Sequence, residues 1–490
     1  MHEVPLTQRS ATALAGAIRE GEVSSREVVE AHIEMCERFQ ARTGAIAVER
    51  FDAARREADA ADARIASAGE GELPPLLGVP CTIKESFALA GMPNCAGLVA
   101  RREHRAETTA PTVQRLIDAG AIPLGLTNVS ELTLWVESDN RVYGRTSNPY
   151  DSSRAAGGSS GGEGAAVGSG ASPFGLGSDI AGSIRIPAFF CGVFGHKPSN
   201  RLVPHTGSYP LAHGEAKRPL CAGPLARRGE DLMPVLRILS GPDGTDPLVT
   251  GVPELGDPAS VSLEGLRVLI SESAFLEPIR RELLAARERA AGALAAAGAR
   301  LDSVRLPQMR QVTEAYLATL GDGDSVAEVL REGGAEPLTI RSALRRGGPH
   351  TVPLKALVLL EQLNQLSPPR RSRQAIAWGQ RYAREIAETI GEGVLLHPPL
   401  ANVAPRHGHT YGRFYALQPM AAFNLAAVPV TQVPLGLGSR GLPLGVQVAA
   451  APGRDHVSIA VAMELERVFG GWVPPNAPAF NDASVLRAAQ

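Results

Sequence analysis

The sequence lacks the features of membrane-spanning, secreted and nucleic-acid-binding proteins. No stretch approaches the roughly 18 apolar residues that a membrane helix needs. The N-terminus, MHEVPLTQRS, does not place a basic region before an apolar one, as a secretory signal does. The 49 basic and 51 acidic residues leave a net charge of −2, so we expect no nucleic-acid or acidic-lipid partner. These absences predict a cytoplasmic protein with no membrane span.

The sequence also lacks the usual signatures of metal and cofactor sites. Its five cysteines are scattered without a CxxC pair, which argues against a disulfide framework or a structural zinc site. The one close histidine pair, His407 and His409, has no HExxH motif or carboxylate cluster beside it and favours a surface loop. There is no GxxxxGK[ST] phosphate loop. We therefore predict no metal and no cofactor.

Lysine is scarce, because only four of the 49 basic residues are lysine. A residue that stays lysine in such a chain is of interest, since lysine can lose its proton and arginine effectively cannot. Lys84 lies in the apolar segment LGVPCTIKESF, where desolvation can lower its pKa enough to make it a base. A salt-bridged or partly solvated lysine is the alternative at this point.

Alternating helical and extended patterns predict an α/β fold with a large mixed β-sheet and helices on both faces. Helices are expected over 8–38, 50–68, 111–119, Glu277–Ala297, Met420–Ala427 and Val457–Val468. Strands are expected at Leu77–Phe87, Ala121–Leu126, Leu266–Ile270, Val394–Leu396, Val428–Val433 and Leu444–Ala449. We found no internal repeat and predict a single domain over 1–490, with a helical N-terminal part at 1–70.

Residues 151–187 are dense in glycine and serine, which is also typical of a flexible linker. Apolar residues such as Phe174 and Ile184 among the glycines instead favour close backbone packing with exposed N–H groups. Four serines of this segment are candidate nucleophiles or their partners: Ser159, Ser160, Ser178 and Ser183. A serine hydroxyl needs a base, and a neutral lysine can serve as one. Residue chemistry alone leaves the hypothesis of a lysine-activated serine open.

Four segments together resemble the amidase signature family, over nearly the whole chain. They are LGVPCTIKESFALAGMPN, GAIPLGLTNVSEL, the stretch from YGRTSNPYDSSRAAGG through GGSSGGEGAAVGSGASPFGLGSDIAGSIRIPAFFCGVFGHKPS, and FNLAAVPVTQVPLGLGSRGLPLGVQVAA. Within the family, SIRIPAFFCGVFGHKPS and FGGWVPP are similar to the fatty acid amide hydrolase 2-like branch. The resemblance implies the same large α/β fold.

The resemblance also implies a set of site residues. Lys84 is the implied base, Ser159 the bridging serine on a cis peptide bond, and Ser183 the nucleophile. The implied oxyanion hole consists of backbone N–H groups of Ile180, Ala181, Gly182 and Ser183. The family usually has glycine where this chain has Ala181, so a positive φ there would carry a strain of about 1 kcal/mol. Ser160, Asp179 and Arg185 are expected to support this turn.

The implied reaction is hydrolysis of the C–N bond of hydrophobic acyl amides through an acyl-enzyme. A broad-range aryl-amide, carbamate (urethane) or ester hydrolase is the alternative, and a glutamyl-tRNA amidotransferase-type subunit is a weaker one. The expected partner is a small-molecule amide, ester or carbamate, and a homodimer is one option for assembly.

Substrate preference is expected to depend on residues 306–390, a mostly helical segment that is least like the family. Its apolar residues include Tyr316, Leu317, Leu320, Leu354, Leu357, Leu359 and Leu360. The stretch Val352–Leu366 is amphipathic, and either lines an acyl channel or faces the core.

Overall fold

A computed structural model of the chain describes residues 4–67, 72–251, 254–272, 277–306, 309–345, 347–364, 369–413 and 417–475. These residues form thirteen strands: β1 (Ile46–Glu49), β2 (Pro80–Lys84), β3 (Ile122–Thr127), β4 (Asp139–Asn140), β5 (Gly144–Arg145), β6 (Phe174–Asp179), β7 (Phe194–Lys197), β8 (Cys221–Ala226), β9 (Arg267–Ser271), β10 (Arg300–Val304), β11 (Val394–His397), β12 (Val430–Leu437) and β13 (Pro443–Ala450). They also form fifteen α-helices: α1 (Ala11–Arg19), α2 (Ser25–Thr43), α3 (Phe51–Ser67), α4 (Pro111–Asp118), α5 (Gly161–Gly168), α6 (Arg185–Phe190), α7 (Leu232–Leu239), α8 (Arg281–Ala296), α9 (Met309–Leu320), α10 (Val326–Glu332), α11 (Ile340–Leu344), α12 (Val352–Asn364), α13 (Pro369–Ile390), α14 (Gln418–Leu425) and α15 (Asp455–Phe469).

Eleven strands form one mixed sheet in the order β1-β3-β2-β6-β8-β7-β12-β13-β11-β9-β10, while β4 and β5 form a separate pair. Strand β2 is parallel to β3 and β6, whereas β6 and β8 are antiparallel. Every residue of β3, β8 and β13 is buried. Because successive side chains of a strand point to opposite faces, both faces of the sheet are covered. The predicted single-domain fold with a large mixed sheet is confirmed.

The glycine-rich segment is an ordered part of the core, so the linker alternative is wrong. It forms β6, α5 and α6, and every residue of α5 is buried. Its glycines permit close packing: a Cβ on Gly162 would collide with the backbone of Asn128, and one on Gly175 with the Glu163 carboxylate. Helix α5 can therefore lie directly against β2, which carries Lys84, and against its neighbours β3 and β6.

Several element boundaries differ from the sequence patterns. The strand expected at Leu77–Phe87 is shortened to β2, because turns flank it on both sides. Strand β1 was not predicted within the N-terminal part at 1–70, of which residues 1–3 and 68–70 lie outside the described ones. The helix expected over Glu277–Ala297 begins only at Arg281, three residues after Pro278.

The segment 306–390 is helical, as expected, and contributes α9 to α13. Residues 307–308, 346 and 365–368 lie outside the described ones, as does the end of the stretch Val352–Leu366. Among the described residues, no helix has both the length and the apolar character needed to cross a membrane.

Candidate active site

Lys84 is the last residue of β2, a strand that is buried along its whole length. Its Nζ lies 2.8 Å from Ser159 Oγ and 2.8 Å from Ser178 Oγ. Within the described part of the chain, no carboxylate lies at ion-pair distance from it, so the salt-bridge alternative is not supported. Burial lowers the pKa of Lys84 to about 7, although the charges of Asp179 and Glu163 oppose this shift. A large fraction of Lys84 is therefore neutral near pH 7 and able to accept a proton.

Ser159 and Ser160 lie just before α5. The peptide bond between Gly158 and Ser159 is cis. Ser160 ties this segment to β6, because its Oγ donates to the Ser178 carbonyl at 3.3 Å and accepts from the Ser178 N–H at 3.4 Å. The Ser160 N–H also donates to the Ser183 carbonyl at 3.3 Å. Ser160 thus connects the segment carrying Ser159 with the segment carrying Ser183.

At the turn between β6 and α6, three carbonyl groups besides that of Ser183 accept hydrogen bonds from residues outside the turn. Asn424 Nδ2 donates to the carbonyl of Asp179 at 3.3 Å, the Tyr316 hydroxyl to that of Ile180 at 2.9 Å, and the Ile186 N–H to that of Gly182 at 2.6 Å. In a trans peptide the N–H points opposite to the C=O. The N–H groups of Ile180, Ala181 and Ser183 consequently point away from these donors, and none of them forms a hydrogen bond among the residues described.

Gly182 differs from its three neighbours in this turn. Its N–H donates to Asp179 Oδ1 at 2.8 Å, so only three of the four expected oxyanion donors are unoccupied. The positive φ of the turn is also at Gly182, with a value of 101°, and not at Ala181. The alanine therefore occupies ordinary backbone space, and the strain considered for it does not arise.

Asp179 and Arg185 form a buried ion pair beneath the turn. Arg185 Nε lies 3.0 Å from Asp179 Oδ2, and both side chains are fully buried. Arg185 also donates to Gln447 Oε1 at 2.8 Å and to the Asn424 side chain. Burial alone would raise the pKa of Asp179, but Arg185 and Asn424 hold it well below its ordinary value. The carboxylate is therefore charged and available to fix the turn.

Ser183 is 6% exposed and lines a cavity together with Ser159, Ser178 and Ile180. Its Oγ forms no hydrogen bond with any residue that the structure describes. The structure thus brings Lys84 and Ser159 into contact, and brings Ser183 to the same cavity without a Ser159–Ser183 hydrogen bond. Hydrogen bonds between catalytic groups are often long before substrate binds and shorten in the complex.

The cavity has a volume of about 450 Å³ and predominantly apolar walls. Side chains from three helices of the 306–390 segment contribute to it: Leu317 and Leu320 of α9, Val326 and Val329 of α10, and Leu357 and Leu360 of α12. Three ionisable side chains also line it, namely His213, Asp324 and Glu361. His213 and Asp324 contact each other. The cavity therefore joins the three serines to an apolar chamber.

Helix α12 both lines the cavity and faces the hydrophobic core, which were the two alternatives for its amphipathic pattern. Leu357 and Leu360 line the cavity, whereas Leu354 and Val358 are buried in a hydrophobic cluster with Leu98. Of the other leucines expected near substrate, Leu359 is half-buried and does not line this cavity.

Glu163 is a buried acid close to the lysine that the sequence patterns did not single out. Its two carboxylate oxygens accept from the hydroxyls of Thr82 at 2.6 Å and Thr127 at 2.7 Å. Burial raises the pKa of Glu163 to about 8, although these hydrogen bonds and the Lys84 charge oppose the shift. Glu163 is thus mostly neutral near pH 7 and adds little negative charge beside Lys84.

Comparison with known proteins assigns this arrangement to a family. The family model described as Amidase matches residues 27–458. The chain belongs to the amidase family. It is 41% identical to fatty-acid amide hydrolase 2-B of Danio rerio, over 96% of this chain and 91% of that protein. It is 38% identical to fatty-acid amide hydrolase 2 of Homo sapiens, with the same two coverages.

A solved structure supports the same assignment. A bacterial aryl acylamidase of the amidase signature family matches this chain with a TM-score of 0.83 and 25% identity, over 97% of this chain and 100% of that one. The protein is therefore an amidohydrolase of the amidase family, similar to fatty-acid amide hydrolase 2.

Two histidines of this amidase lie close to carboxylates, and one of them, His407, belongs to the pair considered as a metal site. His196 Nε2 lies 3.0 Å from Asp455 Oδ1, a partner far away in the sequence, but both side chains are fully buried. His407 contacts Ser147 and lies beside Glu137 in a loop. Within the described residues, no group of three histidines, cysteines or acids is placed to hold a metal ion.

The sequence named Ser178 as a candidate without assigning it a role, and did not point to Asn424. Ser178 is the second hydroxyl on Lys84 Nζ, and the parallel pairing of β2 with β6 explains why the ends of both strands meet there. This pairing was a usable signal, because Lys84 and Ser178 both lie at the end of a buried strand. Asn424 contacts the turn across 245 residues of sequence, for which no local pattern exists.

Proposed function

We propose that the protein hydrolyses amides with apolar acyl groups through a relay of Lys84, Ser159 and Ser183 and a covalent acyl-enzyme. The observation that carries the proposal is the contact of 2.8 Å between Lys84 Nζ and Ser159 Oγ at an apolar cavity that Ser183 also lines. The 38–41% identity to fatty-acid amide hydrolases 2 supports the choice of acyl amides.

In the proposed reaction, neutral Lys84 takes the proton of Ser159, which takes that of Ser183 as Ser183 Oγ attacks the acyl carbonyl. The oxyanion accepts hydrogen bonds from the N–H groups of Ile180, Ala181 and Ser183, which are unoccupied in the described part of the chain. The relay returns the proton to the leaving amine as the C–N bond breaks. Water then attacks the acyl-enzyme with the same base.

Ser178 has a definite place in this scheme. A neutral lysine amine has one lone pair and two N–H donors. If Nζ donates to Ser178 Oγ, its lone pair is free to accept from Ser159 Oγ. Ser178 would thus orient the base, while Asp179 and Arg185 hold the turn from below.

The same catalytic groups can act on aryl amides, carbamates or esters, and the likeness to an aryl acylamidase supports the first of these. A panel of acyl amides of increasing length, anilides, carbamates and esters separates these options. We expect kcat/KM to rise with acyl length, because each buried methylene contributes about 0.8 kcal/mol. A preference for acetamide over long acyl amides would contradict the acyl assignment. The cytoplasmic location and the homodimer stay predictions.

Ser183→Ala tests the nucleophile. Loss of an acting nucleophile costs on the order of 10⁶ in kcat. A fluorophosphonate probe should label the native protein and not the variant, while Ser153→Ala, at an exposed serine outside the cavity, should still be labelled. Labelling of Ser183→Ala, or a tenth of native turnover in it, would remove Ser183 from this role.

A further inference from the structure

We propose that Tyr316 is a positioning residue that aims the Ala181 N–H at the oxyanion. This inference rests on the proposed function, since it concerns the turn that would hold the developing charge. Tyr316 lies on α9, within the segment on which substrate preference was expected to depend. Its hydroxyl donates to the carbonyl of Ile180 at 2.9 Å.

The hydrogen bond from Tyr316 to the Ile180 carbonyl also fixes the direction of the Ala181 N–H. The Ile180 carbonyl and the Ala181 N–H belong to one planar trans peptide and point in opposite directions. Holding the carbonyl towards α9 therefore keeps the N–H turned away from α9. A hydrogen bond to a carbonyl also polarises the peptide and strengthens its N–H as a donor.

Tyr316 is suited to this task by its surroundings. It is 7% exposed, so water does not readily replace its hydroxyl at the carbonyl. Burial raises the pKa of Tyr316 well above its ordinary value, so the hydroxyl keeps its proton. Among the residues described, no other group donates to the Ile180 carbonyl. A flipped peptide would lose the hydrogen bond from the Tyr316 hydroxyl to the Ile180 carbonyl.

Other carbonyls at the turn are held differently, and that of Ser183 accepts from the Ser160 N–H. The carbonyl of Asp179 is held by Asn424 of α14, and that of Gly182 by the N–H of Ile186 in α6. Both donors lie in segments that resemble the family. The donor to the Ile180 carbonyl, Tyr316, comes from the segment least like the family. A substitution at this position therefore affects stabilisation of the oxyanion and not only the fit of substrate.

The test compares Tyr316→Phe with Tyr382→Phe. Tyr382 is a suitable control because it lies on α13 against α9, is 1% exposed, and its hydroxyl has no partner among the described residues. For a long acyl amide, we expect Tyr316→Phe to lower kcat by about 10- to 100-fold with KM within twofold, by analogy with the loss of one oxyanion donor. Tyr382→Phe should leave both constants unchanged. Rates are normalised to the fraction of sites titrated by a fluorophosphonate, so partial misfolding does not enter.

A second readout distinguishes positioning from a structural role. A trifluoromethyl ketone with the same acyl chain forms a tetrahedral adduct, and its affinity should fall by the same factor as kcat. The affinity of the matching alkyl alcohol, which carries no oxyanion, should not change. Unchanged kcat and adduct affinity in Tyr316→Phe would overturn the proposal, and so would a rise in KM at unchanged kcat.

Different results would refute the proposed function and the positioning role of Tyr316. A native protein that neither hydrolyses the panel nor reacts with fluorophosphonate would refute the proposed function, and the role of Tyr316 would fall with it. A native protein that does both, with a Tyr316→Phe variant of equal kcat, would refute the role of Tyr316 alone.

Discussion

Replacing Lys84 with arginine separates a lysine that acts as a base from one that supplies only positive charge. Arginine keeps the charge and much of the volume, but its guanidinium stays protonated at every usable pH. If Lys84 takes the proton of Ser159, Lys84→Arg should be nearly as inactive on amides as Lys84→Ala. If only the charge matters, Lys84→Arg should keep most of its turnover.

The expected pH dependence of activity follows from the burial of Lys84. Its pKa is lowered from 10.5 to about 7, so roughly half of the side chain is neutral at pH 7. A lysine of ordinary pKa would be neutral in only about 0.03% of molecules at that pH. Because the neutral form is the base, activity should be full above the lowered pKa. It should fall by about tenfold for each pH unit well below it.

The assay is kcat/KM for an anilide between pH 5 and 9, repeated with an activated ester of the same acyl group. The ester should suffer less in Lys84→Arg, since its leaving group needs no proton. Lys355→Arg is the matched control, because this lysine is on α12 and, within the described part of the chain, its Nζ donates only to backbone carbonyls, among them that of Arg345 at 2.9 Å. Near-native amide turnover in Lys84→Arg would refute the relay.

Three further predictions concern the cavity, the buried pair and the buried acid. Leu320→Trp should narrow the cavity and lower kcat/KM for long acyl amides relative to short ones, in an acyl-length series; an unchanged profile would place the acyl group elsewhere. Arg185→Ala leaves Asp179 as an unpaired buried charge and should lower the free energy of unfolding in urea by about 3–5 kcal/mol, whereas a loss below 1 kcal/mol would contradict this account. Because burial raises the pKa of Glu163 to about 8, this acid is mostly protonated over the acid limb of the pH profile, so Glu163→Gln should leave that limb nearly unmoved; a clear shift to lower pH would show that a charged Glu163 raises the pKa of Lys84.

Local sequence patterns predicted the elements that have strong local causes. The helical pattern over 111–119 predicted α4, which begins at Pro111, and the mostly apolar segment before Lys84 predicted a buried strand. The same segment predicted the desolvation of Lys84, because a strand buried on both faces leaves no solvated side for a charge. The serine roles came instead from the family resemblance and remain predictions.

Contacts between distant segments could not be predicted in this way. Tyr316 and Ile180 are 136 residues apart, and nothing in either local pattern pairs them. The use of the Gly182 N–H by Asp179 was also missed, since spacing alone does not tell a free donor from an occupied one. Strand β1 is short and partly exposed, so its period-2 pattern is too weak to stand out between two helices.

The position of Tyr316 beside Leu317 on α9 constrains how the substrate range of this protein can change during evolution. A substitution at Leu317 or Leu320 reshapes the cavity wall and leaves the α9 backbone in place. An inserted or deleted residue earlier in α9 would rotate the rest of the helix by about 100°. That rotation would displace Tyr316 from the Ile180 carbonyl together with the wall. We therefore expect new substrates to be reached through side-chain replacement within α9, and length changes to be confined to other parts of the segment.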